Sequence, residues 1–422
     1  MENLSVVSAP SVPAAPYSID VSKGTMSGQV SSQWASRPAD QKFEDLDALH
    51  AFKLASYENA WEQRTQTNAF ELWAPEPKTL ADTNVLKIGV ANVRQAGADI
   101  RRDVLVDPTH WSFGQLCQLG GAPASYLRRK PTQLVADALT HDLRYSRTVE
   151  EIKLYGSPST LMAATGPDYG RIPDHQVVTA VQQIAGNGLG ENGFHWKTPG
   201  QINWSTMHYD PEAMGDVGQR TFYGSDRDMF LFLVDDRRPI VVGKTRHGTD
   251  DHMFRGFVIQ NSEVGSRSLK ILAFYLRGVC MNRCLWGCEG FDEIRINHTR
   301  LAPERWIQRA LPALESFANG SERNLQDSVL KAKQAEVASN DDAALSFLQN
   351  RGFSRKAALS IFETHVAEED RPIRSAWDMA QGVTAYARTQ TNTDDRLKIE
   401  LEAKKVLDRV TGPGATISLD DE

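Results

Sequence analysis

Cysteine is scarce in this sequence. Cys117, Cys280, Cys284 and Cys288 are the only four in 422 residues, which excludes a disulfide framework as the source of stability. Long apolar runs are missing too: no stretch approaches the roughly 20 consecutive apolar residues that span a bilayer. The chain does not open with a basic segment and an apolar core, as a secretory signal does. No membrane association is expected, and the expected location is the cytoplasm. HExxH, GxSxG and the protein-kinase set are absent, as is any glycine pattern of the GxGxxG or GxxxxGKS kind between a strand and a helix. No catalytic residue, metal site or cofactor is therefore expected.

What is present has the composition of a globular protein, 41% hydrophobic and 24% charged. The length suits one large domain or two ordinary ones. The net charge of −7 conceals a division. Between Arg237 and Ala310 there are 13 Lys/Arg and 7 Asp/Glu, a local +6 that leaves −13 for the remainder. A basic centre in an acidic chain points to a polyanionic partner.

The chain divides into four stretches. Residues 1–33 are rich in Ser, Val, Ala and Pro and read as a disordered tail. Residues 34–318 read as an α+β core, residues 319–411 as a helical C-terminal region and residues 412–422 as a loose acidic end. Within the core, Phe43–Asn59 has helical periodicity, and Thr83–Val106 reads as two strands about a turn at Gln95–Asp99. Ser112–Leu119 and Ala122–Leu139 read as helices, and Asp174 is placed to cap another over Gln176–Ile184. Met229–Val234 and Ile240–Val242 suggest a strand, a turn over Asp235–Pro239 and a second strand, with further strands at Phe254–Gln260 and Phe291–Asn297.

From Ser266 to Trp286 the spacing predicts an amphipathic helix. Leu269, Leu272, Ala273, Leu276, Val279 and Cys280 share one face, with Arg267, Lys270 and Arg277 to one side. The expected fold class is α+β: a mostly antiparallel sheet with that helix at its centre, followed by helices over Trp306–Phe317, Leu325–Val337, Asp341–Gln349, Ser354–Ala367, Ser375–Arg388 and Asp394–Arg409.

Three groups of residues have chemical potential. Cys280, Cys284 and Cys288 with His298 offer zinc-type ligands, but on a straight helix the outer two cysteines stand about 12 Å apart; packing as small hydrophobes is the favoured reading. His247, Asp250, Asp251 and His252 fit a metal or, more simply, a polar hairpin loop. Asn261-Ser262-Glu263 ahead of a helix N-terminus, with Arg267, Lys270 and Arg277 beyond, fits an anion such as phosphate, or plain helix capping. Tyr223, Phe254, Phe274, Tyr275 and Trp286 lie in or near this basic centre and are available to stack on bases.

The run Asn261-Ser262-Glu263-Val264-Gly265, then Ser268-Leu269, Arg277, Val279-Cys280, Asn282 and His298, resembles the signature of the phage/plasmid-like family known as domain of unknown function 932. Softer matches are Ser112–Leu116 with Ala122–Leu127, Asp168-Tyr169 with Ile172–Asp174, and Trp377-Asp378 with Gly382–Arg388. Arg283 stands where the family often has glycine, and Arg295–His298 matches its basic-histidine pair loosely. The resemblance implies a mobile-element origin and leaves the activity open.

The resulting expectation is a non-catalytic nucleic-acid-binding protein, with single-stranded DNA as the favoured ligand, assisting recombination, replication or repair. Its contacts are expected from Asn261, Ser262, Arg267, Lys270, Arg277, Arg283, Arg295 and His298. The alternatives are a partner-binding or homo-oligomerising protein that uses the helical region, and a metal-dependent nuclease.

Overall fold

Two sets of apolar side chains exclude water separately, and each organises its own sheet. The computed structural model describes residues 41–69, 71–75, 86–95, 101–146, 150–203, 208–213, 221–278, 283–284, 293–390 and 393–411. Of these, residues 55–169 and Val264–Ser266 form one compact unit, and residues 41–54, 170–263 and 267–411 form the other. The chain enters through β1 (Lys42–Phe43) and α1 (Leu46–Glu58).

The first unit is a curled sheet of β2 (Trp61–Gln66), β3 (Glu71–Trp73), β4 (Lys87–Gln95), β5 (Arg101–Pro108), β6 (Glu151–Ser157) and β7 (Thr160–Thr165). The strands run in the order β2-β6-β7-β5-β4-β3, and β2 pairs with β4 as well, so five of them close into a ring. All ladders are antiparallel except β5 with β7. Alternation along the strands fills the interior with Ile88, Val90, Val104, Val106, Ile152 and Leu154. Between β5 and β6 run α2 (His110–Gly120), α3 (Ala124–Leu127) and α4 (Thr132–His141). Thr109 caps α2 by accepting from the Ser112 amide, and Gly121 ends it in the left-handed conformation. Phe113, Leu116, Val135 and Leu139 from these helices join the same core.

The second unit carries a seven-stranded antiparallel sheet. After α5 (Asp174–Ala185) and the small pair β8 (Gln201–Asn203) and β9 (His208–Asp210) come β10 (Phe222–Gly224), β11 (Met229–Lys244), β12 (Asp250–Asn261), β13 (Leu269–Arg277), β14 (Arg283–Cys284) and β15 (Glu293–Ile296). The order is β1-β10-β11-β12-β13-β14, with β15 also on β13. The C-terminal region is helical: α6 (Ala302–Ala318), α7 (Glu322–Gln334), α8 (Asp341–Asn350), α9 (Arg355–Glu369), α10 (Ala376–Arg388) and α11 (Thr393–Thr411). One sheet face, including Leu231, Leu233, Phe257, Ile259, Ile271 and Ala273, belongs to the main core of this unit, to which α5–α11 contribute. The other face carries Phe232, Val234, Phe254, Val258, Leu272, Phe274 and Leu276, with Leu397 and Leu401 of α11 packed against them.

The α+β class and the helical C-terminal region stand, but the central helix does not. Leu269–Arg277 is a strand paired with β12 along its length. A strand buried on both faces loses its polar alternation, and its apolar residues then match helical spacing by chance. The expected turn at Asp235–Pro239 is likewise a register shift within one 16-residue strand, since both halves of β11 pair with β12. Val279, Cys280 and Cys288 lie outside the described residues, as does Trp286.

Gly256 makes one close cross-strand approach possible. It faces Phe274 in register, and a Cβ there would lie 2.2 Å from the ring. Gly256→Ala is expected to lower unfolding free energy by roughly 1–3 kcal/mol through overpacking. Urea denaturation measures this as a lower midpoint with an unchanged slope.

Candidate nucleic-acid interface

Asn261 ends β12, Ser262 and Glu263 follow it in a turn, and no helix comes after them. All three are buried. Asn261 Nδ2 donates to the Ile172 carbonyl (2.9 Å) and to Asp174 Oδ1 (2.8 Å). Ser262 Oγ donates to the Arg227 carbonyl at 2.8 Å. Glu263 Oε1 accepts from the Asp174 amide at 3.1 Å, while Arg171 donates to the Glu263 carbonyl. Lys53 completes the group: its Nζ is 2.8 Å from Asp174 Oδ2 and donates to the Ser225 carbonyl at 2.7 Å. His298 holds the neighbouring loop, with Nδ1 donating to the Gly170 carbonyl (3.0 Å) and its own carbonyl accepting from the Gly170 amide (2.9 Å). Asn261, Ser262 and His298 therefore tie loops and strand ends together from inside the protein.

Burial, followed by the nearby Asp174 carboxylate, pushes the Glu263 carboxyl up to about 7, against the opposing pull of Lys53 and Arg171. Burial also holds the His298 imidazole below its ordinary value.

The remaining basic residues separate into two settings. In register across the sheet, Phe230 faces Gln260, Gln260 faces Lys270, and Lys270 faces Arg295. Directly opposed residues stand about 5 Å apart, so Gln260, Lys270 and Arg295 form a continuous polar row over three strands. Arg267 lies at its end, with its guanidinium 5.0 Å from the centre of the Phe230 ring and Nε 3.6 Å from Asp228. Lys270 Nζ reaches Glu293 at 2.9 Å. Arg295 is exposed, with no ion pair among the described residues. Three of the sequence-predicted residues, Arg267, Lys270 and Arg295, thus come together. Arg283 pairs through its backbone with Leu276, and its side chain lies outside the described residues.

Arg277 sits in a different environment. It is buried, with Nε and Nη2 donating to the two Asp251 oxygens at 2.8 and 2.9 Å, and Nη1 to Glu369. Its guanidinium and Lys333 Nζ both lie against Trp377, at 5.8 and 5.5 Å from the ring centre. The same contacts separate the acidic pair considered as metal ligands. Asp251 is buried beneath Arg277, whereas exposed Asp250 pairs with Lys244 at 2.7 Å across the β11–β12 hairpin. No group of three His, Cys, Asp or Glu suited to a metal occurs among the described residues.

Sequence reasoning missed Lys53, Arg171 and the true role of Asp174. Asp174 does begin α5, but its carboxylate serves Lys53 and Asn261. The one available signal was Ile172-Pro173-Asp174 among the softer family matches; nothing marks Lys53, a lysine on an amphipathic helix.

The family model described as Domain of unknown function (DUF932) matches residues 162–407, more than half of the chain. The chain belongs to this family. No curated protein and no solved structure matches it. The matched residues include the Asn261–Glu263 cluster, the Arg267–Lys270–Arg295 row and the Arg277 network, and exclude β2–β6.

Two stability measurements separate these environments. A carboxyl raised in the folded state contributes stability that is full below its unfolded value and is lost as pH rises through the folded one. Wild type is therefore expected to lose stability relative to Glu263→Gln between about pH 4.5 and 7, by on the order of 1–3 kcal/mol. Thermal unfolding of both proteins across that range checks it. Arg277→Ala removes both guanidinium donors from buried Asp251, leaving it Lys333 at 3.9 Å, and is expected to cost roughly 3 kcal/mol, seen as a lower denaturation midpoint. Arg277→Met with Asp251→Leu recovers most of that loss.

Proposed function

We propose that this protein binds nucleic acid without catalysing a reaction on it, in the cytoplasm, for a phage, plasmid or other mobile element. The role is assistance to recombination, replication or repair, with single-stranded DNA as the favoured ligand. The row of Gln260, Lys270 and Arg295, with Arg267 at its end, carries this reading. Cations and an amide spaced along adjacent strands match the repeating charge of a phosphate backbone. The uneven charge of the chain supports it further, because the local excess between Arg237 and Ala310 favours a polyanion over an acidic protein as a whole.

Binding to labelled single- and double-stranded oligonucleotides is expected to weaken linearly in log affinity with log salt. Lys270→Ala with Arg295→Ala is expected to make that line shallower by roughly two, about one for each lost phosphate contact. Fluorescence anisotropy over a salt series measures both quantities. Wild-type protein that binds neither form at low salt, or a double variant with an unaltered slope, refutes the reading.

A further inference from the structure

The first unit has a connectivity that bears on its ligand. Taken in chain order, the five strands of its ring are β2, β4, β5, β6 and β7. The first pairs with the second and fourth, the second with the third, the third with the fifth in parallel, and the fifth with the fourth. The helices lie between the third and fourth strands. This is the connectivity of the oligonucleotide/oligosaccharide-binding barrel, in which the outer face of the second and third strands receives the ligand. Here that face belongs to β4 and β5, outside the matched family region.

This face is equipped for stacking. Trp73 on β3 lies over Gly89 of β4, where a Cβ would stand 3.0 Å from the indole. A side chain at position 89 would lift the ring off the sheet. The ring stays 37% exposed, and Leu105, directly opposite Gly89 on β5, is 49% exposed. An indole reaching over β4 from β3 and a leucine on β5, both open to water, form a flat apolar platform that the fold does not need for its core.

Charges of both signs stand on the same strands as the platform. Lys87, in register with Trp73, pairs with Asp107, and Arg144 pairs with Glu71 at the start of β3. Arg94 on β4 is exposed, and Asp103 on β5 is the further acid. Tyr145, 73% exposed, follows Arg144.

We infer that the outer face of β4 and β5 is a binding site for single-stranded nucleic acid, with Trp73 stacking on a base. Unpaired bases present the π faces that an exposed indole takes up, and their phosphates suit the neighbouring arginines. A duplex hides those faces within its stack. The inference rests on the reading of this chain as a nucleic-acid binder, but on none of the residues in the Lys270–Arg295 row.

The test uses the full chain and a labelled single-stranded oligonucleotide of mixed sequence, with a duplex of the same sequence as control. Trp73→Ala is expected to weaken single-strand binding roughly tenfold, within the range for loss of one stacked base, and Trp73→Phe to retain most of it. Leu105→Glu is a second probe at an exposed position and is expected to weaken the same binding. Thermal unfolding of each variant separates a lost contact from a lost fold. Trp73→Ala and Leu105→Glu that remain folded and bind single strands as tightly as wild type would overturn the inference. So would equal losses for the duplex, or Trp73-dependent capture of a neutral oligosaccharide instead. If Lys270→Ala with Arg295→Ala weakens binding while the Trp73 and Leu105 variants do not, the barrel site fails and the sheet row stands. The converse result leaves the barrel and removes the row.

Discussion

The buried pairing of Lys53 with Asp174 is the constraint on which the second unit depends. Neither charge is tolerable alone in a dry interior, since an isolated ion there costs several kcal/mol after relaxation. Together, at 2.8 Å, they fix the middle of α1 to the start of α5. Asn261 then reads the remaining Asp174 oxygen, and Glu263 accepts the Asp174 amide, so the end of β12 is set by the same carboxylate. Register along β12 propagates through ten paired positions to β11 and eight to β13. The orientation of the longest strands thus traces back to one ammonium and one carboxylate.

The chemistry of the basic residues follows from where this register puts them. Lys270 and Arg277 belong to one strand, seven residues apart, and differ completely in role. Lys270 stands where the sheet face is still reached by water, beside exposed Arg295. Arg277 stands at the other end, enclosed by Asp251, Glu369, Gln381 and Trp377. Counting positive charge along the sequence gives both equal weight. In the folded chain only the first is reached by solvent, and the second joins the sheet to α9 and α10.

Much of the architecture was legible from residue patterns. Five of the six C-terminal helices carry their periodicity openly because each has one wet face, whereas α10 is buried nearly throughout; α8, α9 and α10 announce themselves through Asn340, Ser354 and Ser375 as caps. The β4–β5 hairpin was visible from its two apolar stretches on either side of the polar turn at Gln95–Asp99. The failures share one cause. Apart from partly exposed Lys270, Leu269–Arg277 is dry on both sides, so little distinguishes its nine residues from a buried helix until its partners are known. The ring closure through Trp61 and Gln95 was equally invisible, since pairing between distant strands leaves no local mark. The candidate residues were read from charge and motif, which place them in the chain but not in depth; burial decided which of them reach the surface.

Val264–Ser266 belongs to the first unit although its other residues end at Tyr169. Val264 packs with Ala60, Tyr155, Met162 and Ala163, and its carbonyl accepts both Trp111 Nε1 at 2.8 Å and Gln115 Nε2 at 2.9 Å. On a ribosome, synthesis runs in one direction, and domains ordinarily fold as they emerge. Here the first unit is not continuous in the chain. Its last three residues are made only after β12, so the first unit stays incomplete for nearly a hundred residues of further synthesis. The β11–β12 hairpin is translated within that interval.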